Sequence, residues 1–381
     1  MKPKEKTRYI KVKKRDAQKL LNFIKKKHNT EKFIDRGKQI FSESDFVLFP
    51  LIENEEIIKN LIGKYKNNFT FEIISRTRHV SSKNIIQSLE IILKDKLPQN
   101  IFDLLPKSYD IIGHIAIVEF DRFNILSYKK SLKYKKEFAK ALIIATNAIK
   151  TVYEKRSEIT GRFRLRQLKF LSGKDKSETI HKENHCLFKL DVKKTYFTPR
   201  LVFERKRLST YDLKEHELII DMFAGVGPFS IQLAKNNNVI IYAFDINPYA
   251  YKYLKENIEL NKLKGLILPF NINIKELSKP TSDLGNILKN KANRIIMNLP
   301  EKSIEYVDIA CFLMKLSGGI LHIYHFSEKQ KPIENAIDKL SLYLKKNYWF
   351  IYKVINSKVV KAYSPKTDLV VVDALIKSIK K

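Results

Sequence analysis

The chain of 381 residues carries 73 Lys and Arg against 41 Asp and Glu, a formal net charge of +32 at pH 7. With 44% hydrophobic and 11% aromatic residues it can bury substantial cores, which excludes global disorder, and its length predicts two or three domains. No apolar run approaches the ~20 residues of a membrane span, and the start MKPKEKTRYIKVKKR lacks the apolar stretch of a signal peptide, so a cytosolic protein is expected.

The two cysteines, Cys186 and Cys311, lie far apart, which excludes a disulfide scaffold and a Cys-rich zinc site. Both are expected as packed thiols, and no metal is expected. A positive excess spread along the whole length suits a polyanion, because each phosphate neutralised by Lys or Arg releases condensed counterions. Nucleic acid is the natural partner, set against the plainer reading of lysines that solvate helix faces or join ion-pair networks.

In chain order, residues 1–68 read as a small mixed unit: an extended RYIKVKK, a helix over Asp16 to His28 and the apolar segment Asp45 to Leu51, ending near the polar stretch Gly63 to Asn68. Residues 69–185 read as a second unit, with a buried strand over Ile111 to Phe120 and an amphipathic helix around Lys136 to Ile149. A strand over Arg162 to Phe170 and a polar loop, Leu171 to Asn184, complete it. After residue 215 short apolar strands alternate with helical patterns, at Leu218–Phe223, Val239–Asp245, Leu266–Ile272 and Arg294–Leu299. That alternation predicts a parallel sheet. Gly319–Phe326 follows, and Tyr348–Val354 with Asp368–Ala374 reads as a closing antiparallel pair.

The clearest constellation is IIDMFAGVGPFS: an apolar strand ending in Asp221, a loop with Gly225 and Gly227, and Pro228 in a first helical turn. The glycines permit close backbone approach to a ligand, and Pro228 suits a helix start whose N–H would be unpaired anyway. The next strand, VIIYAFD, ends in Asp245, placed to accept hydrogen bonds from a ribose diol. A nucleoside-containing cofactor follows. A dinucleotide fingerprint would want a third glycine where Ser230 stands, which disfavours NAD; the D-x-x-x-G-x-G pattern is similar to class I S-adenosylmethionine methyltransferases. At the end of RIIM, Asn298-Leu299-Pro300 offers amide donors and a carbonyl to a planar base at the sheet's carboxyl edge.

Two upstream segments extend the likeness: SEITGRFRLRQL and DVKKTYFTPRLVFERKR. Together with DMFAGVGPFSIQLAK, YAFDINPYA and MNLPEKS they resemble the archaeal and eukaryotic tRNA (guanine-37-N1)-methyltransferases. The resemblance implies an α/β fold: a class I Rossmann-like methyltransferase domain at 186–381, preceded by additional α+β RNA-binding domains at 1–68 and 69–185. It implies methyl transfer from S-adenosylmethionine to N1 of the guanosine 3′ of the anticodon. The partner is then tRNA, held through its anticodon loop and L-shaped body by a monomer, with no membrane involved.

For the cofactor, the resemblance nominates Asp221, Phe223, Gly225, Gly227, Pro228, Asp245, Ile246, Asn247, Asn273 and Asn298. Guanine N1 carries a proton at neutral pH, so a base must remove it as the nitrogen attacks. Glu204 matches the family's proposed base; read alone, a glutamate among arginines is a surface ion pair. Arg164 matches the arginine that holds the target guanine, and the alternation of Arg162, Arg164 and Arg166 predicts a strand with all three on one face. Tyr196 matches a tyrosine near cofactor and guanine; Asn298 and Pro300 match residues that orient the base. The chain departs from the family at His114, where an Asp is common, at Thr198, where a serine is usual, and at Asn271 and Asn273, where an acidic residue is common. The lost charge predicts a weaker grip on the cofactor's adenine.

The resemblance leaves three other readings: a second methylation at C7 of the tricyclic guanosine derivative at the same position, aminocarboxypropyl transfer on the same fold, and a non-catalytic RNA-binding protein with a degenerate cofactor domain. The intact set Asp221, Gly225, Gly227 and Asp245 speaks against the last.

Overall fold

The computed structural model describes residues 6–17, 20, 34–35, 40–43, 45–52, 70–77, 82–146, 148–211 and 213–379. It divides into two compact units, 1–92 and 93–381. In the first, β1 (Lys6–Lys13), β2 (Phe41–Glu43), β3 (Phe46–Pro50) and β4 (Phe71–Thr77) form an antiparallel sheet in the order β2-β3-β1-β4. Ile10 and Val12, two residues apart on β1, bury one face with Leu20, Phe49 and Leu51, the two-residue period of a strand packed on a core. Because β4 pairs with β1 across its whole length, the boundary expected at residue 68 moves to about Ile92. Most of the helix expected over Asp16 to His28, and all of Gly63 to Asn68, lie outside the described residues.

The second unit opens with β5 (Tyr109–Ile112), β6 (Ile115–Val118), β7 (Thr151–Lys155) and β8 (Leu168–Gly173), ordered as numbered. The helix Tyr128–Ala145 is the crossover that lets β6 and β7 run parallel. The single strand expected over Ile111 to Phe120 is a hairpin instead. It turns at Gly113, whose φ is +55° and where a Cβ would lie 2.2 Å from Thr179 Oγ1, so only glycine fits. His114 belongs to the same turn: its N–H donates to Thr179 Oγ1 at 3.1 Å and its ring Nδ1 lies 3.0 Å from the Ala148 carbonyl.

The expected loop Leu171 to Asn184 contains β9 (Glu178–Glu183), which pairs with β10 (Cys186–Asp191). A domain boundary at 185/186 would cut this hairpin at its turn. The expected strand at Arg162 begins only at Leu168; residues 161–164 form a turn in which Arg164 has φ +56°, so the three arginines do not share a strand face.

The remainder is a seven-stranded sheet of β11 (Leu218–Asp221), β12 (Ile240–Phe244), β13 (Leu266–Phe270), β14 (Arg294–Met297), β15 (Gly319–Glu328), β16 (Trp349–Ala362) and β17 (Thr367–Ser378), ordered β13-β12-β11-β14-β15-β17-β16. β11 to β15 are parallel and β17 runs antiparallel between β15 and β16, as the strand pattern predicts. Neighbouring residues alternate between two cores: Ile219 and Ile296 pack on one face, Ile220, Ile295 and Met297 on the other. A sheet covered on both faces reads as continuous apolar runs. The strand order reverses between β11 and β14, and ligands of such sheets sit at that switch point, beyond the carboxyl ends of the strands. Cys186 and Cys311 are free and buried; burial pushes the Cys311 thiol up to about 12. No described helix is long and apolar enough to cross a membrane, and no metal-binding cluster of His, Cys, Asp and Glu occurs among the described residues.

Candidate functional site

β11 hands over at Asp221 to the loop that starts the helix Pro228–Asn236. Gly225 takes φ +57° and donates its N–H to Asp245 Oδ2 at 2.7 Å. Gly227 takes φ +89°, and a Cβ there would lie 2.5 Å from Leu254 Cδ1 and 2.9 Å from Ile231 Cδ1. This second glycine therefore lets the Pro228–Asn236 and Pro248–Leu260 helices close together. At the end of β12 the other Asp245 oxygen accepts from the Asn247 N–H at 2.8 Å. Burial holds Asp245 above the ordinary carboxylate range, although both N–H bonds oppose it. Asn247 caps the next helix through Tyr249 N–H at 3.0 Å and ties it to the Lys194 carbonyl at 2.8 Å.

These elements enclose a cavity of about 560 Å³. Its lining includes nine of the expected residues: Arg164, Tyr196, Phe223, Gly225, Asp245, Ile246, Asn247, Asn273 and Asn298. Segments spread from Ile159 to Tyr306 thus converge on one crevice. The Arg164 guanidinium lies over the Tyr196 ring, 4.7 Å from its centroid, and 3.4 Å from Glu301 Oε1. Phe223 meets Tyr306 edge-on at 5.1 Å. Asn298 Oδ1 is buried with no hydrogen-bond partner in the protein, an acceptor left open on the cavity. Asn273 caps the short helix Ile274–Ser278 through Lys275 N–H at 3.3 Å, and Asn271 donates to the Asp245 carbonyl at 2.8 Å. The two asparagines at the departures therefore serve the local backbone. Glu301, Lys302 and Tyr306 also line the cavity. The sequence reading missed them, although Glu301 and Lys302 sit inside the MNLPEKS motif and were in view.

Five expected residues do not line it. Asp221 is only 1% exposed and lies beneath the loop, where Oδ2 accepts from the Ser230 hydroxyl at 2.7 Å and burial pushes its carboxyl up to about 7. Ser230, which replaces the third glycine of a dinucleotide fingerprint, thus has a structural task. Gly227 and Pro228 shape the helix start. Pro300 is buried, its carbonyl accepting from the Phe326 N–H at 3.1 Å.

Glu204 is the largest departure from expectation. It is 3% exposed on the helix Val202–Ser209. Oε2 accepts from Arg207 at 2.8 Å and from the Tyr324 hydroxyl at 3.2 Å, while Oε1 lies 2.5 Å from Lys358 Nζ. Arg207 continues to Asp373, which bonds His322 at 2.6 Å; His322 meets Arg294 at 2.8 Å, and Arg294 pairs with Glu217 at 2.8 Å. Against the cost of burial, His322 and Arg207 hold Asp373 well below the usual carboxylate range. The chain of charges fastens the Val202–Ser209 helix to β15, β16 and β17, and Glu204 is its outer link. It is an ion pair, as the residue read alone predicts, but a buried one.

Comparison with known proteins follows the same lines. Residues 179–354 match the TRM5/TYW2 methyltransferase domain, and residues 89–176 match the TYW2 N-terminal domain. The tRNA (guanine(37)-N(1))-methyltransferase Trm5b of Pyrococcus abyssi is 36% identical over 304 residues, 80% of this chain and 84% of that protein. A tRNA(Phe) (4-demethylwyosine(37)-C(7)) aminocarboxypropyltransferase of Methanocaldococcus jannaschii is 37% identical over 271 residues, 70% of this chain and 96% of that protein. Among solved structures, the complex of aTrm5 and tRNALeu superposes with a TM-score of 0.62 at 29% identity, covering 96% of this chain and 99% of that one.

Proposed function

Because the chain belongs to the TRM5/TYW2 methyltransferase family, we propose that it transfers a methyl group from S-adenosylmethionine to N1 of guanosine 37 in tRNA, acting as a monomer in the cytosol. What carries this is the crevice itself: a fixed acid at the end of β12, an unsatisfied Asn298 oxygen and an arginine stacked on Tyr196 face one cavity. Its volume suits a nucleoside-sized ligand. When bound, S-adenosylmethionine supplies an electrophilic methyl on a sulfonium.

The chain's own residues do the remaining work. Asp245, immobilised by two backbone N–H groups, keeps further lone pairs for ribose hydroxyls. Phe223 and Tyr306 give the crevice an apolar wall. Arg164 donates to the guanine O6 and favours the negative charge that gathers there as the N1 proton leaves. Asn298 Oδ1 accepts from the guanine's N–H edge and sets its plane. A stacked base hides N1, so the guanine enters extruded from the anticodon loop. Proton removal by Glu204 would require its carboxylate to leave Lys358, Arg207 and Tyr324 and enter the crevice, which it does not line; otherwise the N1 proton passes to solvent water.

Correspondence over nearly the full length with the tRNA-bound structure, against a shorter correspondence with the aminocarboxypropyltransferase, favours methyl transfer. The test is to incubate the protein with unmodified tRNA and S-adenosylmethionine, digest to nucleosides and locate the product by mass spectrometry. N1-methylguanosine at position 37 is expected. An aminocarboxypropyl adduct, or no product while the cofactor binds, overturns the proposal.

A further inference from the structure

A second cavity, of about 630 Å³, lies beside the crevice; Ile159 lines both, and Arg164 faces one while Arg166 faces the other. It is bounded by the segment before β5, by Thr198 and Arg200, and by the end of β16 with the turn that follows it, residues Lys361 to Pro365. Its lining sets six cations against four carboxylates, and two of those carboxylates, Glu119 and Glu158, are held by Lys155 at 2.6 and 2.8 Å and not by Lys361's own neighbours Arg166 and Arg200. Arg200 holds Asp110 at 2.7 Å, and Arg166 reaches the same carboxylate only at 3.9 Å. Arg166 Nε is buried without a hydrogen-bond partner.

Lys361 is half-buried, and its ammonium makes no ion pair or hydrogen bond among the described residues. Burial, and then Arg200, Arg166 and Arg164 around it, hold its pKa below the ordinary lysine value, with Asp110 the one opposing charge. An ammonium gathered among guanidiniums and partly stripped of water is unfavourable unless an anion completes the set. Beside it Tyr363 is 43% exposed and stacks on Phe326 with centroids 3.9 Å apart. A flat aromatic surface next to a cationic pocket is the pairing that single-stranded nucleotides use, backbone on the cations and base on the ring.

We propose that this cavity is a subsite for the nucleotide flanking the target guanosine, with its phosphodiester received by Lys361, Arg166 and Arg200 and its base lying against Tyr363. The subsite rests on the tRNA-methylation reading and specifies how the loop beside the extruded base is held. It touches the RNA strand and not the cofactor.

The test replaces Lys361→Met, which removes the charge and keeps the stem, with Lys361→Arg as its conservative counterpart. Binding is measured with full-length unmodified tRNA and with a short anticodon stem-loop RNA, across a salt series. Loss of one phosphate contact should weaken both RNAs roughly five- to tenfold and lower the slope of log affinity against log salt by about 1. S-adenosylmethionine affinity should stay at the wild-type value, and K361R should restore RNA binding. Unchanged affinity and slope for both RNAs would overturn the subsite, as would a defect confined to kcat. If the wild-type protein makes no N1-methylguanosine, the methylation reading fails separately, whatever the variant binds.

Discussion

Replacing Glu204→Gln separates two tasks that one carboxylate could perform. As placed, Glu204 is 3% exposed and neutralises Arg207 and Lys358, whose side chains are 21% and 42% exposed. Breaking a fully buried pair by removing one partner costs about 3–5 kcal/mol. The two cations are partly solvated here, and a glutamine oxygen can still accept one bond, so about 2 kcal/mol is the better figure after screening. For a unit of this size that shifts Tm by about 5 °C. If Glu204 instead removes the N1 proton, the expected loss is ~10²-fold or more in single-turnover rate.

Both quantities are measurable on one preparation, Tm by calorimetry and the rate by rapid quench well below Tm. The anchoring role predicts the Tm loss with a rate within about tenfold of wild type. It also predicts coupling: in a Lys358→Met background, Glu204→Gln should cost about 1 kcal/mol less, because one of its two cations is already gone. An unchanged Tm with a hundredfold slower rate would refute the anchor and return Glu204 to the chemistry.

Gly227→Ala and Gly225→Ala should differ in kind. At Gly227 the left-handed φ and a Cβ 2.5 Å from Leu254 act together, for about 2–3 kcal/mol of lost stability. At Gly225 the nearest atom is the Tyr196 carbonyl at 3.9 Å, so only the φ cost of about 1 kcal/mol remains, with weakened S-adenosylmethionine binding because Gly225 lines the crevice. Equal Tm losses would contradict this. For Asp221, raised to about 7 by burial, the protonated carboxyl is the favoured folded form. Its contribution is therefore complete below the unfolded carboxyl pKa near 4 and is lost as pH rises through 7. Asp221→Asn should gain on the wild type by about 3–4 kcal/mol between pH 4 and 8, read from paired denaturant titrations; a pH-independent difference would exclude the buried proton.

The parallel half of the fold is legible because its signals are local. Buried strands such as Arg294–Met297 are short unbroken apolar runs, and the Asp221 to Pro228 loop needs its glycines whatever surrounds it. The misreadings share a different origin. The pairing of β4 with β1 and the closeness of Thr179 to Gly113 are contacts between distant segments, which no local pattern announces. The alternation Arg162, Arg164, Arg166 imitates a strand, yet Arg164 turns left-handed and aims its guanidinium at Tyr196. Glu204 shows the limit most plainly: FERKR displays the neighbouring arginines, but Tyr324, Lys358 and Asp373, which decide what the site does, come from β15, β16 and β17.

The excess of +32 admitted two readings, a partner or a compositional habit, and the placement of charges separates them. Behind the crevice the cations are compensated: Arg207, Arg294 and Lys358 have Glu204, Asp373 and Glu217 within ion-pair distance. In front of it they are not: among the described residues, Arg164, Arg166, Arg200 and Lys361 share only Asp110 and Glu301 as ion-pair or opposing partners. A lysine-rich habit that merely solvates helices would leave unpaired charge on convex, exposed faces, where water screens it cheaply. Cations grouped in a concavity, with Arg164, Arg166 and Lys361 partly buried, repel one another with less of that relief and persist where an anion of matching shape relieves them. The uncompensated side is also the side on which Asn298 Oδ1 lacks a partner. Cation surplus and missing donor thus face adjoining cavities, and an RNA strand, with phosphate oxygens and a base N–H edge, answers both.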